Sequence, residues 1–286
     1  MAVYKRGYQR YRGPVTGPLT RLLVVPRFGW KRLMGQRLVM ILLIVSCFWP
    51  LACATFIYVS NHLELLQGMG PALAQNLKVD GKFFAVFMNT QAVFAVFLAA
   101  FAGPSLVAPD LAGNALPLYF SRPMSRLDYV FSRMLVLVGL LSPVTLIPGL
   151  ILFAMQSGMA GWSWFAANWN LGLSVFAGFV LWIVFVSLVA MASSAYVKWR
   201  IIAGAVVIAF FFVLAGVGGM VNAILRVDWG MLINPALTMN QVWRAMMGTD
   251  PLDGPEALDC LSMIGAMAVA LIWILNRKLR PVEVVS

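Results

Sequence analysis

Residues 38–59 read LVMILLIVSCFWPLACATFIYV, 22 positions without a single charged side chain. At 1.5 Å per residue such a run is long enough as a helix to cross a hydrocarbon core of about 30 Å. Five further runs have the same character, at about 83–107, 131–155, 170–195, 201–224 and 259–276. Over the 286 residues, 62% are hydrophobic and only 11% charged, less than half the charged share of an average soluble domain. The expected fold is therefore all-α: a polytopic membrane protein with six transmembrane helices.

The formal charge of +11 would suggest a nucleic-acid partner in a soluble chain, but its distribution excludes that reading. Nine basic residues and no acidic ones precede residue 38, a topology and lipid-headgroup signal. With six spans, seventeen Lys and Arg fall on one side and four (Lys78, Lys82, Arg226, Arg244) on the other. That asymmetry puts both termini in the cytoplasm of a chain in the inner (cytoplasmic) membrane. The expected organisation is a cytoplasmic N-terminus with an amphipathic elbow helix over 1–37, a permease domain over 38–276 and a tail over 277–286. The first run reads as a retained helix and not a cleaved signal, because 37 residues precede it and it is too long for a signal core.

No ionisable residue falls well inside any run, which argues against proton coupling through buried acids. A GxxxxGK[ST] phosphate loop is absent, so the chain carries no nucleotide chemistry of its own. The single histidine, His62, has no second ligand at metal-binding spacing, and Cys47, Cys53 and Cys260 form no CxxC. No catalytic set, metal site or bound cofactor is expected, and the chain reads as a non-enzyme.

Before the first run, GPLTRLLVVPRFGWKRLMGQR (17–37) interleaves apolar residues with Arg21, Arg27, Lys31 and Arg32 around Trp30. Such a basic amphipathic helix lies in the headgroup plane with its apolar face down. It serves either as a positive-inside anchor alone or as an elbow that also braces a partner. Pro26 and Gly29 are expected to bend it.

Between runs two and three the chain reads DLAGNALPLYFSRPMSRLDYVFSRM (110–134). Pro104 and Pro109 are expected to bend or stop the preceding helix. Asp110 is then expected to cap a short helix limited by Gly113 and Pro117. Leu111, Leu116, Leu118, Tyr119 and Phe120 would give that helix an apolar surface outside the bilayer, which needs a cover. Pro123 breaks the chain, and Ser125 with Asp128 forms a box-like cap for the next helix. Arg122 and Arg126 face water or lipid phosphate.

This joint resembles the first cytoplasmic loop of the ABC-2 type permeases, the membrane subunits of a class of ATP-binding-cassette transporters. The matching positions are Asp110, Gly113, Leu116, Leu118, Ser121, Pro123, Ser125, Arg126, Tyr129 and Arg133. The basic elbow and DWGMLINPALTMNQVWRAMMG (228–248) extend the resemblance over most of the chain, with Trp243, Met246 and Met247 expected at the outer face. The resemblance implies that segment 110–123, including Ser121 and Arg122, is a coupling helix docking on an ABC ATPase subunit, which holds the ATP and Mg. It also implies pairing with a second copy of this permease or a homologue, and export or movement between leaflets.

Within the runs, Asn89, Thr90 and Gln91 form the clearest polar patch; they either line a path or tie helices together, since buried amides need partners. Ala205 with Ala209, and Ala215 with Gly219, have small-xxx-small spacing. The uncharged interior suits an apolar or lipid-like cargo. Two other readings stay open: a non-transporting membrane anchor or assembly subunit of a larger complex, and an ion-coupled secondary carrier.

Overall fold

A computed structural model describes residues 18–62, 78–113, 126–197 and 199–278. Among them the regular structure is helical: α1 (Pro18–Met34), α2 (Arg37–Asn61), α3 (Gly81–Ala102), α4 (Pro104–Ala112), α5 (Arg126–Leu141), α6 (Leu146–Ala160), α7 (Trp162–Tyr196), α8 (Arg200–Leu225), a 3-10 turn (Trp229–Ile233), α9 (Pro235–Met246) and α10 (Ala257–Lys278). Among the described residues, five stretches are long and apolar enough to cross a membrane: Arg37–Asn61, Gly81–Asp110, Trp162–Tyr196, Arg200–Leu225 and Ala257–Lys278. The pair α5 and α6, bent by 42°, makes a sixth if taken as one broken span. This architecture fits a multi-pass membrane protein.

Burial sorts these helices into a centre and a rim. In the most apolar windows of Gly81–Asp110 and of α7, 72% of residues are buried, against 17% in α2, 28% in α8 and 22% in α10. The centre is aromatic. Trp182 and Trp243, each 1% exposed, meet edge to face at 5.7 Å, with Phe179, Phe185 and Phe211 around them. Rim helices instead turn large apolar side chains outward, such as Ile201, Phe212, Met220 and Ile224 of α8. A bilayer would cover such a surface, while water would penalise it at about 25 cal/mol per Å².

Several expectations need correction. Run three is not one straight helix from 131 to 155: it starts earlier, at Arg126, and breaks over Ser142–Thr145. Pro143 and Pro148 each lack the N–H that would continue the ladder, and Ile147 N–H reaches back five residues to the Ser142 carbonyl (2.9 Å). The earlier start puts Arg133 two turns inside α5, where it is 8% exposed, so the run does hold a buried charge. α7 begins at Trp162, ahead of the expected 170, and kinks at Asn168 (φ −125°, ψ 16°). Trp243 is buried. Its indole N–H donates to the Gly178 carbonyl at 3.2 Å, deep in the bundle.

The segment before α10 is built from local caps. Asn234 Oδ1 accepts from the N–H groups of Ala236 (3.1 Å) and Leu237 (3.3 Å), with Pro235 at the first helical position. Gln241 then ties down the following loop: its Nε2 donates to the carbonyls of Leu252 and Pro255, and its Oε1 accepts from Leu252 N–H at 2.7 Å. At this end Lys82 and Asp250 form an exposed ion pair at 2.7 Å. The Lys82 ammonium holds the Asp250 carboxyl below its ordinary value, but full exposure leaves the pair little weight in stability.

Candidate functional site

The joint between α4 and α5 is anchored at its base by three side chains. Asp110, near the end of α4, accepts a hydrogen bond from the Tyr129 hydroxyl at 2.8 Å and a charge-assisted one from the Arg133 guanidinium. Tyr129 and Arg133 lie one turn apart on α5, and the guanidinium sits 5.4 Å from the centre of the Tyr129 ring. Tyr129 is 1% exposed, and the side chains of Arg133 and Asp110 are 10% and 13% exposed. Charge pairing in so dry a place is stronger than at a surface, and losing either partner there is correspondingly costly.

Asp110 is thus not the N-cap of a new helix. The helix begins at Pro104, where the missing N–H of a first-turn residue has no helical partner to lose, and runs through residue 110 to Ala112. Asp110 consequently faces α5. Gly113 is an exposed turn residue whose N–H closes on the Pro109 carbonyl at 2.9 Å. Leu111 belongs to the backbone of α4. Leu116, Leu118, Tyr119, Phe120, Ser121, Arg122 and Pro123, and the Ser125 cap, lie outside the described residues.

α4 is fastened to the central helix as well. Ser194 of α7 presents its hydroxyl to the first turn of α4, accepting from Ala108 N–H at 2.9 Å and donating to the Pro104 carbonyl at 3.5 Å. One side chain therefore bonds both residues 104 and 108 of α4. The base of the joint is held to α7 through these two bonds.

On the other side, α5 carries α1. The Trp30 indole N–H donates to the Val136 carbonyl at 2.9 Å. Its ring lies where Gly139 has no side chain, so that a Cβ at 139 would come within 2.2 Å of it. Trp30 is therefore docked on α5 and half-buried. Pro26, Gly29 and Leu33 complete this packed face, while Arg27, Lys31 and Arg32 are exposed beside Leu23 and Phe28. Arg21 belongs to the same helix. Replacing Gly139 by valine is expected to expel Trp30 and free α1, read as a rise in tryptophan accessibility to a collisional quencher. Unchanged quenching would contradict the notch.

The polar patch of α3 separates into three different side chains. Thr90 bonds its own helix at the Val86 carbonyl (3.1 Å), Asn89 is exposed, and Gln91 is fully buried. Gln91 Nε2 donates to the Ser46 carbonyl at 3.1 Å and to the Val144 carbonyl at 2.6 Å. Both carbonyls are orphans of the same kind: the residues four positions on are Pro50 and Pro148, which have no N–H to offer. One amide thus supplies two donors, one to α2 and one to the break between α5 and α6. Its Oε1 has no hydrogen-bond partner among the described residues.

No protein-family model matches the sequence, and no curated protein is significantly similar to it. The residues sequence reasoning passed over are Ser194, Gly139 and the orphaned carbonyls of Ser46 and Val144. The prolines four residues beyond the carbonyls were the available signal, because each marks a missing donor.

Proposed function

We propose that this chain is the membrane-embedded permease subunit of an ATP-driven transporter of the ABC-2 type. It forms a translocation path with a second copy, and a separate ATPase drives it through segment 110–123. The observation that carries this reading is the anchored base of the joint, where Asp110 grips Tyr129 and Arg133 while Ser194 and Trp30 lock the flanking helices to α7 and α1. A loop held this firmly at its base can pass a push to the spans. A loose linker would dissipate it. The sequence likeness of the joint, the basic elbow and the absence of a phosphate loop support the same reading. Apolar runs whose buried charge is confined to the Asp110–Arg133 pair among the described residues favour an apolar or lipid-like cargo, moved outward or between leaflets.

Purification of the chain from its native membrane in mild detergent, with mass spectrometry of what accompanies it, tests the reading. One ATPase at one copy per permease is expected. Recovery without an ATPase, alone or among unrelated membrane subunits, overturns it in favour of a carrier or an assembly subunit.

A further inference from the structure

Asn89 is an exposed amide on a helix that otherwise turns apolar residues outward. Its neighbours on the same helical face are Lys82, Val86 and Val93, the two valines 56% and 52% exposed. Lys82, paired with Asp250, marks where this face meets water. Seven residues on, about 10 Å along the helix, Asn89 stands within the hydrocarbon depth of a span. Its side chain has no hydrogen-bond partner among the described residues. Lipid tails offer none, and an amide left bare in them is costly.

Beside this face, α2 and α3 leave a groove of about 240 Å³, lined by Trp49, Ala52, Cys53, Phe56, Phe83 and Val86. Val86 belongs to both features, so the groove and the amide open onto one continuous surface.

We propose that this face of α3 packs against the same face of a second copy across a two-fold axis, with the two Asn89 amides paired and each groove filled by an apolar side chain of the other copy. A primary amide is self-complementary, each carbonyl accepting from the other's NH₂. A two-fold interface sets a residue against itself only at its axis, so a single polar position in an apolar face fits the axis and little else. Buried interhelical amides are a general means of joining helices in lipid. Lys82, which symmetry would bring near its own copy, is already neutralised by Asp250 and adds little repulsion. The inference rests on the dimeric reading above and names the surface that reading leaves open.

The test uses the full chain in lipid vesicles, in a background of Cys47→Ser, Cys53→Ala and Cys260→Ala. Oxidation of the Asn89→Cys variant is expected to give a disulfide-linked dimer, whereas Val213→Cys, on the exposed face of α8, gives none. In the original background, single-molecule photobleaching is expected to show Asn89→Leu weakening dimerisation roughly tenfold and Asn89→Gln retaining most of it. Dimers that persist while the Asn89→Cys variant stays unlinked and Asn89→Leu has no effect overturn the surface but leave the dimer standing. Monomers throughout overturn both. Labelling of the unoxidised Asn89→Cys variant in vesicles by a water-soluble maleimide also overturns the proposal, assigning Asn89 to an aqueous path.

Discussion

Gln91→Leu is expected to lower stability by about 2–4 kcal/mol, although the side chains are similar in volume and the site is entirely buried. The loss comes from the carbonyls of Ser46 and Val144, whose helical donors Pro50 and Pro148 have removed. Each buried acceptor left bare costs about 1–3 kcal/mol, and interhelical bonds measured in lipid fall at the lower end. Denaturant titration in mixed micelles reads the effect. The decisive comparison is with Pro148→Ala, which restores the N–H that Val144 lacks. In that background Gln91→Leu should cost less, by about 1 kcal/mol, the coupling expected of residues that share one partner. Equal costs in both backgrounds would show that Gln91 acts through packing and not through the orphaned carbonyl.

The second large effect belongs to the base of the joint. Asp110→Ala is expected to destabilise the chain by about 3 kcal/mol, because it removes the carboxylate that pairs with the buried Arg133 and accepts from Tyr129. Removing both charges with Asp110→Ala and Arg133→Met should recover most of that loss, since neutral side chains carry no desolvation cost in the same space. On the proposed transporter reading, a bridge that transmits motion predicts that the recovered double variant binds an ATPase subunit yet moves cargo poorly. The ratio of transport to ATP hydrolysis separates that outcome from a purely structural role, which would restore both together. A double variant as unstable as Asp110→Ala would show that the charges themselves are not the cause.

These two sites differ in how far the sequence announces them. Asp110, Tyr129 and Arg133 stand in a joint that breaks two apolar runs, so their importance is visible, but local rules make Asp110 a cap. Two prolines, at 104 and 109, suggest a bend or a stop, and after a one-residue break at Gly103 the chain continues helically to Ala112. Pro104 starts a helix as readily as it ends one, and local rules cannot choose between the two without the neighbour that accepts it. Gln91 is visible as a polar residue in an apolar run. Whether it lines a path or joins helices depends on carbonyls 45 and 53 residues away.

What the sequence determined alone is the set of apolar runs, their punctuation by proline and the clustering of basic charge, because each depends only on residues within one window. Run lengths translate directly into spanning helices, so five matched long apolar helices and the sixth its bent pair. The tertiary structure alone decided which side of each helix faces inward. In a soluble helix the apolar stripe answers that question, but here every side is apolar, and a bilayer resembles the core it surrounds. With periodicity silent, rotation about each helix axis follows from packing and from the few polar groups that must find partners. Trp30 settles against Gly139, Ser194 bonds the first turn of α4, and Gln91 meets the two carbonyls that proline left unpaired.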